Sequence, residues 1–372
     1  MKKYIWVVLV ILVIMIISVG LSKFENENRG SLRIGVAIPL TGIASVVGES
    51  EKNGIDLAVK EINQSGGING RSIEVVFEDD HTDPKQTVGA VQKLINIDGA
   101  TVLIGGTWDF LANAVIPVID SQKKILITPS ALPDTLEKTS PYLFVTHSPV
   151  ALLEGGIVKF LANFSRPRVV TISVNNLWGK AHLATFSRAI SVSGGTLLKE
   201  VIVPNFDGND IQRELTIIKS LKPDVIISAL NFADSVSLLR RRSELNIPAK
   251  ILADFHVEDG FNKGNIPNKL LSGVNIFVFS DASQDFFEKY QKMYGQLPNT
   301  YADTAYDAVY VIKQAVENAY GKTDTESLVQ GIHSINNFKG ASGILDFSKN
   351  NYPSNKLPIV KIFKDGKFVE VK

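Results

Sequence analysis

The sequence predicts an α/β protein of two doubly wound lobes, each a parallel sheet with helices on both faces. Three observations carry this. Short aliphatic runs alternate with amphipathic stretches along most of the chain, the alternation begins twice on the same plan, and 372 residues are more than one ordinary core accommodates.

The first plan is the clearest. Leu32 to Ile38 is a β-branched and aliphatic run closed by Pro39, as suits a strand buried on both faces. Gly42 and Gly48 let the next loop turn tightly. A helix follows, with Ile55, Ala58, Val59 and Ile62 on one face, Glu49, Lys52, Lys60 and Glu61 on the other, and Gly66-Gly67 as its stop. Asn69-Gly70 turns the chain into a strand at Ile73 to Phe77, with Asp79-Asp80 just beyond it. Next come a helix over Lys85 to Ile97, a strand over Thr101 to Ile104 ending at Gly105-Gly106, and a helix over Leu111 to Ser121. A strand over Lys124 to Thr128 closed by Pro129 and an extended run from Tyr142 to Thr146 complete this half.

The second half repeats the plan. Arg168 to Val174 reads as a strand, Lys180 to Ser193 as a helix stopped by Gly194-Gly195, and Leu197 to Val203 as the next strand. Ser193-Gly194-Gly195 echoes Ser65-Gly66-Gly67. A helix over Asp210 to Leu221, a strand over Asp224 to Leu230, a helix over Ser235 to Leu245 and strands over Lys250 to Asp254 and Gly273 to Phe279 follow. Helices over Asp285 to Tyr294 and Tyr301 to Tyr320 come next, then a strand within Gly340 to Phe347 and a terminal hairpin, Leu357 to Val371, about Asp365-Gly366. Two copies are too few for a solenoid, so two facing lobes is the simpler arrangement.

Composition narrows the function. Hydrophobic residues at 45% and charged residues at 21% describe a globular chain rather than a disordered one. A net charge of +1 gives no electrostatic reason to expect a nucleic-acid partner. Cysteine is absent, which excludes disulfides, thiol catalysis, thiolate metal sites and a lipid-modified cysteine. Lys2 and Lys3 precede the uncharged run Tyr4 to Leu21, the pattern of a secretory signal and, at this length, nearly as well that of an uncleaved anchor. Either way the remainder is exported, behind a polar linker up to Ser31.

The runs IGVAIPLTG, INQSGGINGRSIEVVFEDD and DPKQTVGAVQKLI, in that order from Ile34 to Ile95, resemble the opening of the type I periplasmic binding proteins of the leucine/isoleucine/valine-binding kind. These are the extracytoplasmic receptors of ATP-driven (ABC) importers, and the looser likeness continues to about Phe347. The resemblance implies two Rossmann-like lobes joined by a three-stranded hinge, with crossings near 147, 276 and 338. It divides the chain into a signal or anchor at 1–21, a linker at 22–31, a first lobe of 32–146 plus 277–337, and a second of 147–276 plus 338–372. It also implies a monomer that closes on a small molecule and delivers it to a membrane permease. A sensory ectodomain uses the same fold, and the lack of a second apolar span favours the importer.

The third class, an enzyme on a Rossmann-like scaffold, finds little support. The loop after the first strand lacks G-x-G-x-x-G, and Gly321-Lys322-Thr323 has Val316 where a phosphate loop needs glycine. Gly340-Ala341-Ser342-Gly343 lacks the spacing of a nucleophile elbow. His81, His147, His182, His256 and His333 show no metal-ligand spacing, and Asp79-Asp80 supplies too few oxygens for calcium, reading instead as a solvated turn. Arg240-Arg241-Arg242 points three ways on a helix, a solvated face. No cofactor is expected.

In open α/β sheets ligands lie beyond the carboxyl ends of the strands. That rule selects Thr41 to Gly48, Gly105 to Asp109 and Thr128 to Leu132 in the first lobe, and Asn175 to Gly179, Leu230 to Ala233 and Ala253 to His256 in the second. These loops carry Trp108, Trp178, Phe232 and Phe255, with Asp109, Ser130, Asn175, Asn231 and Asp254 among them. Aromatic side chains at loop tips need a partner, and a ligand is one. The resemblance adds that Thr128, Ser130 and Ala131 match a loop that contacts an amino-acid ligand through backbone and hydroxyl groups, and that Trp178-Gly179 matches an aromatic-glycine step. This chain departs at Leu132, at Thr107-Trp108-Asp109-Phe110 in place of a serine-rich loop, and at Phe255, which aligns with the acid expected for the ligand's ammonium while Asp254 stands one residue earlier. The expected ligand is therefore an amino acid, or next an aromatic acid or amide.

Overall fold

The computed structural model describes residues 30–137, 139–204, 211–262, 264–279, 282–353 and 358–371. The expected signal or anchor, nearly all of the linker and the expected helix start at Asp210 lie outside these residues.

The first half folds as β1 (Leu32–Ile38), α1 (Ser45–Gln64), β2 (Ile73–Asp79), α2 (Pro84–Asn96), β3 (Val102–Gly105), α3 (Asp109–Gln122), β4 (Leu126–Thr128), the one-turn α4 (Asp134–Glu137) and β5 (Leu143–Val145). Its five strands are all parallel, in the order β2-β1-β3-β4-β5. Each face carries a core: Ile34, Val36 and Ile38 point to one, and Ala37, Leu94, Leu103 and Leu126 lie in the other. Asp83 caps α2 by accepting the Gln86 amide, with Pro84 at the first helical position where no amide is needed.

After α5 (Glu154–Leu161) the second half runs β6 (Arg168–Val174), α6 (Leu177–Val192), β7 (Thr196–Val203), α7 (Gln212–Leu221), β8 (Val225–Ala229), α8 (Phe232–Glu244), β9 (Lys250–Ala253), α9 (His256–Asn262) and β10 (Val274–Phe279). The parallel order β7-β6-β8-β9-β10 repeats that of the first sheet strand for strand. The antiparallel hairpin β13 (Pro358–Lys364) and β14 (Lys367–Glu370) extends it on the β10 side. In both sheets the chain reverses direction across the sheet at the first strand, so both place a crevice at equivalent strand ends.

Between β10 and that hairpin the chain returns to the first lobe as α10 (Gln284–Tyr294), α11 (Ala302–Asn318), α12 (Thr325–His333) and the small hairpin β11 (Phe338–Gly340) and β12 (Gly343–Leu345). Helix α11 lies against α1 at closest range where Gly54 has no side chain, since a Cβ there would stand 2.1 Å from the Ala302 carbonyl.

Two expected boundaries move. Residues 277–279, assigned to the first lobe, belong to β10 and pair with β13 of the second sheet. Residues 338–352, assigned to the second lobe, pack on the first: Ala341, Leu345 and Phe347 join its core, and the Asn351 amide donates to the carbonyls of Ser140 and Leu143. Buried Asp307 of α11 is the cause. Its carboxylate accepts the Ala341 amide, the Ser342 amide at 2.8 Å and the Ser342 hydroxyl, and a Cβ at Gly340 would meet it at 2.5 Å. The third crossing therefore falls after Asn351. Among the described residues no helix is long and apolar enough to cross a membrane.

Candidate ligand-binding cleft

The carboxyl ends of both sheets face one another across a cavity of about 220 Å³, walled at the back by the crossings. Each lip is positioned by backbone that only particular residues allow. Gly105 sits at φ 146° with no room for a Cβ, which would lie 2.0 Å from the Ala37 carbonyl. Trp108 follows in the left-handed region at φ 70°, a strained position for a bulky residue, and its amide donates to Ser130 Oγ at 3.2 Å. The Thr128 hydroxyl donates to the Gly106 carbonyl at 3.1 Å, and Thr107 is buried with its hydroxyl on Glu51 of α1. Ala131 lines the cavity and bonds the hydroxyl of Tyr301 through its backbone.

In the second lobe Asn176 caps α6 by accepting the Gly179 amide at 2.6 Å, and Gly179 lies so close to the Val174 carbonyl that a Cβ would stand 2.0 Å from it. That contact explains the aromatic-glycine step: the turn needs glycine and holds Trp178 at the cavity wall. Trp178 packs on His182 at 4.2 Å between centroids and meets His256 edge-on. Phe255 stacks on His256 at 4.3 Å and faces Tyr301.

Asp109 joins the two lips. One carboxylate oxygen accepts the Phe110 amide and the other accepts the Trp178 amide across the cleft at 2.9 Å. Burial pushes this carboxyl above its ordinary range, and the amides that it accepts pull it back. The lobes are thus in contact, as in a closed form.

Of the anticipated residues, Ala131, Trp178 and Phe255 line the cavity directly. Thr107, Trp108, Asp109, Thr128 and Ser130 form the network behind the first lip. The others are placed elsewhere. Asp254 is buried and accepts the Leu230 amide at 2.8 Å and the His256 amide at 3.0 Å, so it ties the ends of β8 and β9 together. Asn175 is exposed. Asn231 precedes α8, and Phe232 lies in a separate groove with Arg240 and Arg241, its ring filling the space that Gly260 leaves. Asp80, expected in a solvated turn, is fully buried, and burial raises its carboxyl to about 6.

Sequence reasoning missed His147, Tyr301, Glu258 and Asp259. His147, at the first crossing, stands edge-on to both Phe279 and Tyr301. Tyr301 is buried at φ 65° just before α11, with its phenol pushed well up by burial. Glu258, on α9, is paired at 2.8 Å with the nearly buried Lys361 of β13, and Asp259 accepts the Thr300 hydroxyl. Only the position of His147, where the resemblance put the first crossing, carried a signal for any of these. Among the described residues no group of acids and histidines could hold a metal ion.

Two like-ordered sheets closing on a cavity define a bilobed receptor of the type I periplasmic binding fold. A family model for periplasmic binding proteins matches residues 31–367, and the chain belongs to that family. It is 26% identical over 355 residues to a Leu/Ile/Val-binding protein homolog of Brucella melitensis, covering 93% of this chain and 95% of that one. Among solved structures, LivJ of Streptococcus pneumoniae, a branched-chain amino acid transporter substrate binding protein in complex with isoleucine, superposes with a TM-score of 0.80 at 21% identity, covering 92% of this chain and all of that one. A solute binding protein of an ABC transporter from Rhodopseudomonas palustris in complex with 3,4-dihydroxybenzoic acid superposes equally, at 0.80 and 22% identity, over 92% of this chain and 96% of that one.

Proposed function

We propose that this protein is the extracytoplasmic receptor of an ABC importer, holding an amino acid with an apolar or aromatic side chain between its lobes without altering it. The observation that carries this is the cavity itself. It is bounded on one side by Ala131 and Tyr301, on the other by Trp178 and Phe255, with the carboxylates of Glu258 and Asp259 in its lining. The aromatic faces suit an apolar body, and the carboxylates of Glu258, paired with Lys361, and Asp259, which accepts the Thr300 hydroxyl, stand in the lining where an ammonium group would add to their partners, whereas Asp254 is buried outside it. Thr107, Trp108, Thr128 and Ser130 hold the first lip from behind, and the ligand's carboxylate is placed at the lip's cavity-facing end, beside Ala131. Export through the 1–21 segment, cleaved or retained, and a membrane permease as partner belong to the same reading, which the Leu/Ile/Val-binding relatives support.

Isothermal titration of ligand-free protein with the L-amino acids, benzoate and 3,4-dihydroxybenzoate tests the ligand class. Leucine, isoleucine or phenylalanine is expected to bind at micromolar concentration or below, about −8 kcal/mol. Binding of the benzoates alone would replace the amino acid by an aromatic acid, and recovery of a chemically changed ligand by mass spectrometry would replace the receptor by an enzyme.

A further inference from the structure

Glu51 is the least expected group behind the cleft. It lies on α1, is 0% exposed, and accepts the Thr107 hydroxyl on Oε2 at 2.6 Å. Its other oxygen has no hydrogen-bond partner, though the Ser130 hydroxyl stands beside it. That hydroxyl in turn receives the amide of Trp108, the residue held at φ 70°. The titratable groups facing Glu51 from other elements are Asp80, just past β2, and Tyr301, just before α11. Neither is a cation, and the neighbouring Lys52 of its own helix is bound to Asp56. A buried carboxylate with one donor, a like-charged neighbour and, among the described residues, no counterion is too costly to stay ionised. Burial accordingly pushes its carboxyl from 4.5 to about 8.

We propose that Glu51 is the positioning residue of the first lip, acting as a neutral acid that accepts from Thr107 and donates its own proton to Ser130. The Ser130 oxygen has two lone pairs, so it takes this proton and the Trp108 amide together, fixing the Trp108 loop against the Ser130-Ala131 loop. Ionisation removes the donor and places a second negative charge beside Asp80, and the Trp108 loop loosens. The inference rests on the receptor reading only in that these loops are taken to face the ligand.

Hydrogen exchange of ligand-free protein tests it, read on peptides spanning Trp108 and corrected for intrinsic rate at pH 6.5 and pH 9. In the wild type, protection falls about tenfold between the two pH values. Glu51→Gln, which accepts and donates at both, keeps its protection throughout, and Glu51→Ala has low protection at both. Flat wild-type protection up to pH 9, or Glu51→Gln as unprotected at pH 6.5 as Glu51→Ala, overturns the proposal. Should Glu51→Ala not fold, the wild type and Glu51→Gln decide by themselves. Denaturant melts give a second reading. With its folded-state value raised from 4.5 to about 8, the folded protein binds this proton more tightly, so wild-type stability falls relative to Glu51→Gln as pH rises through that window and is level above it. The opposite trend means that Glu51 works as an anion. No ligand is added, so a failure here leaves the receptor reading standing, and a titration panel that finds no ligand leaves this inference standing.

Discussion

Asp109 and Asp254 look alike as letters, each an acid beside an aromatic residue at the end of a strand. Their oxygens do opposite work: Asp109 bonds the partner lobe, and Asp254 is used up inside its own. Composition and position gave both residues a place near the cleft. Which amides each would meet depends on packing between segments distant in the chain, which a local reading cannot reach. His182 shows the same limit. Its spacing in the sequence gave it no role, yet it lies buried beneath Trp178, and burial lowers it from 6.5 to about 4. The unfolded chain therefore binds a proton that the folded chain refuses between those values, and stability falls as pH drops from 6.5 to 4. His182→Gln is expected to lose up to about 3 kcal/mol less than the wild type across that window, in urea melts at pH 7 and pH 4.5. Parallel losses in the two proteins would show that His182 titrates normally. Asp254 and His256 are the charged groups near enough to modify the effect.

At the scale of elements, nearly every strand of both sheets was legible, because fully buried parallel strands are continuous aliphatic runs bounded by glycine and proline. Among the described residues four helices were not anticipated: α4 is a single turn, and α5, α9 and α12 are short, their apolar spacing broken by glycines at Gly155, Gly156, Gly260 and Gly331. The misassigned segment 338–352 has a different cause. The resemblance put a crossing near 338 and so gave this segment to the second lobe, whereas its small residues let a turn settle onto the Asp307 carboxylate of the first. Asp307→Ala is expected to cost about 3 kcal/mol or more, since three buried donors lose a charged acceptor. The loss should appear in the first lobe's transition in calorimetry and as protease cleavage near Gly340, and an unchanged melt would refute this account.

For the molecule as a whole, three crossings join two lobes whose lips meet through the Asp109 carboxylate and the Trp178 amide. A few backbone rotations at such connections suffice to open the cleft. Ligand moves the equilibrium only by its preference for the closed form, and about 5.5 kcal/mol carries it from 1:99 to 99:1. Small-angle scattering is expected to show compaction on adding the amino acid found by titration. Asp109→Ala, having lost a buried contact made only on closure, should be more open without ligand and should bind roughly tenfold or more weakly. A radius that neither ligand nor the substitution changes would contradict closure.

The threading of the chain also bears on how the protein is made. The first sheet is complete by Val145, yet its cover of α10 to α12 and the 338–352 segment follows the whole parallel core of the second lobe, whose own edge hairpin comes last of all. A ribosome has therefore emitted the chain to about residue 352 before the first lobe can finish packing, and a cut between Val145 and Val150 would divide that lobe's core between two pieces.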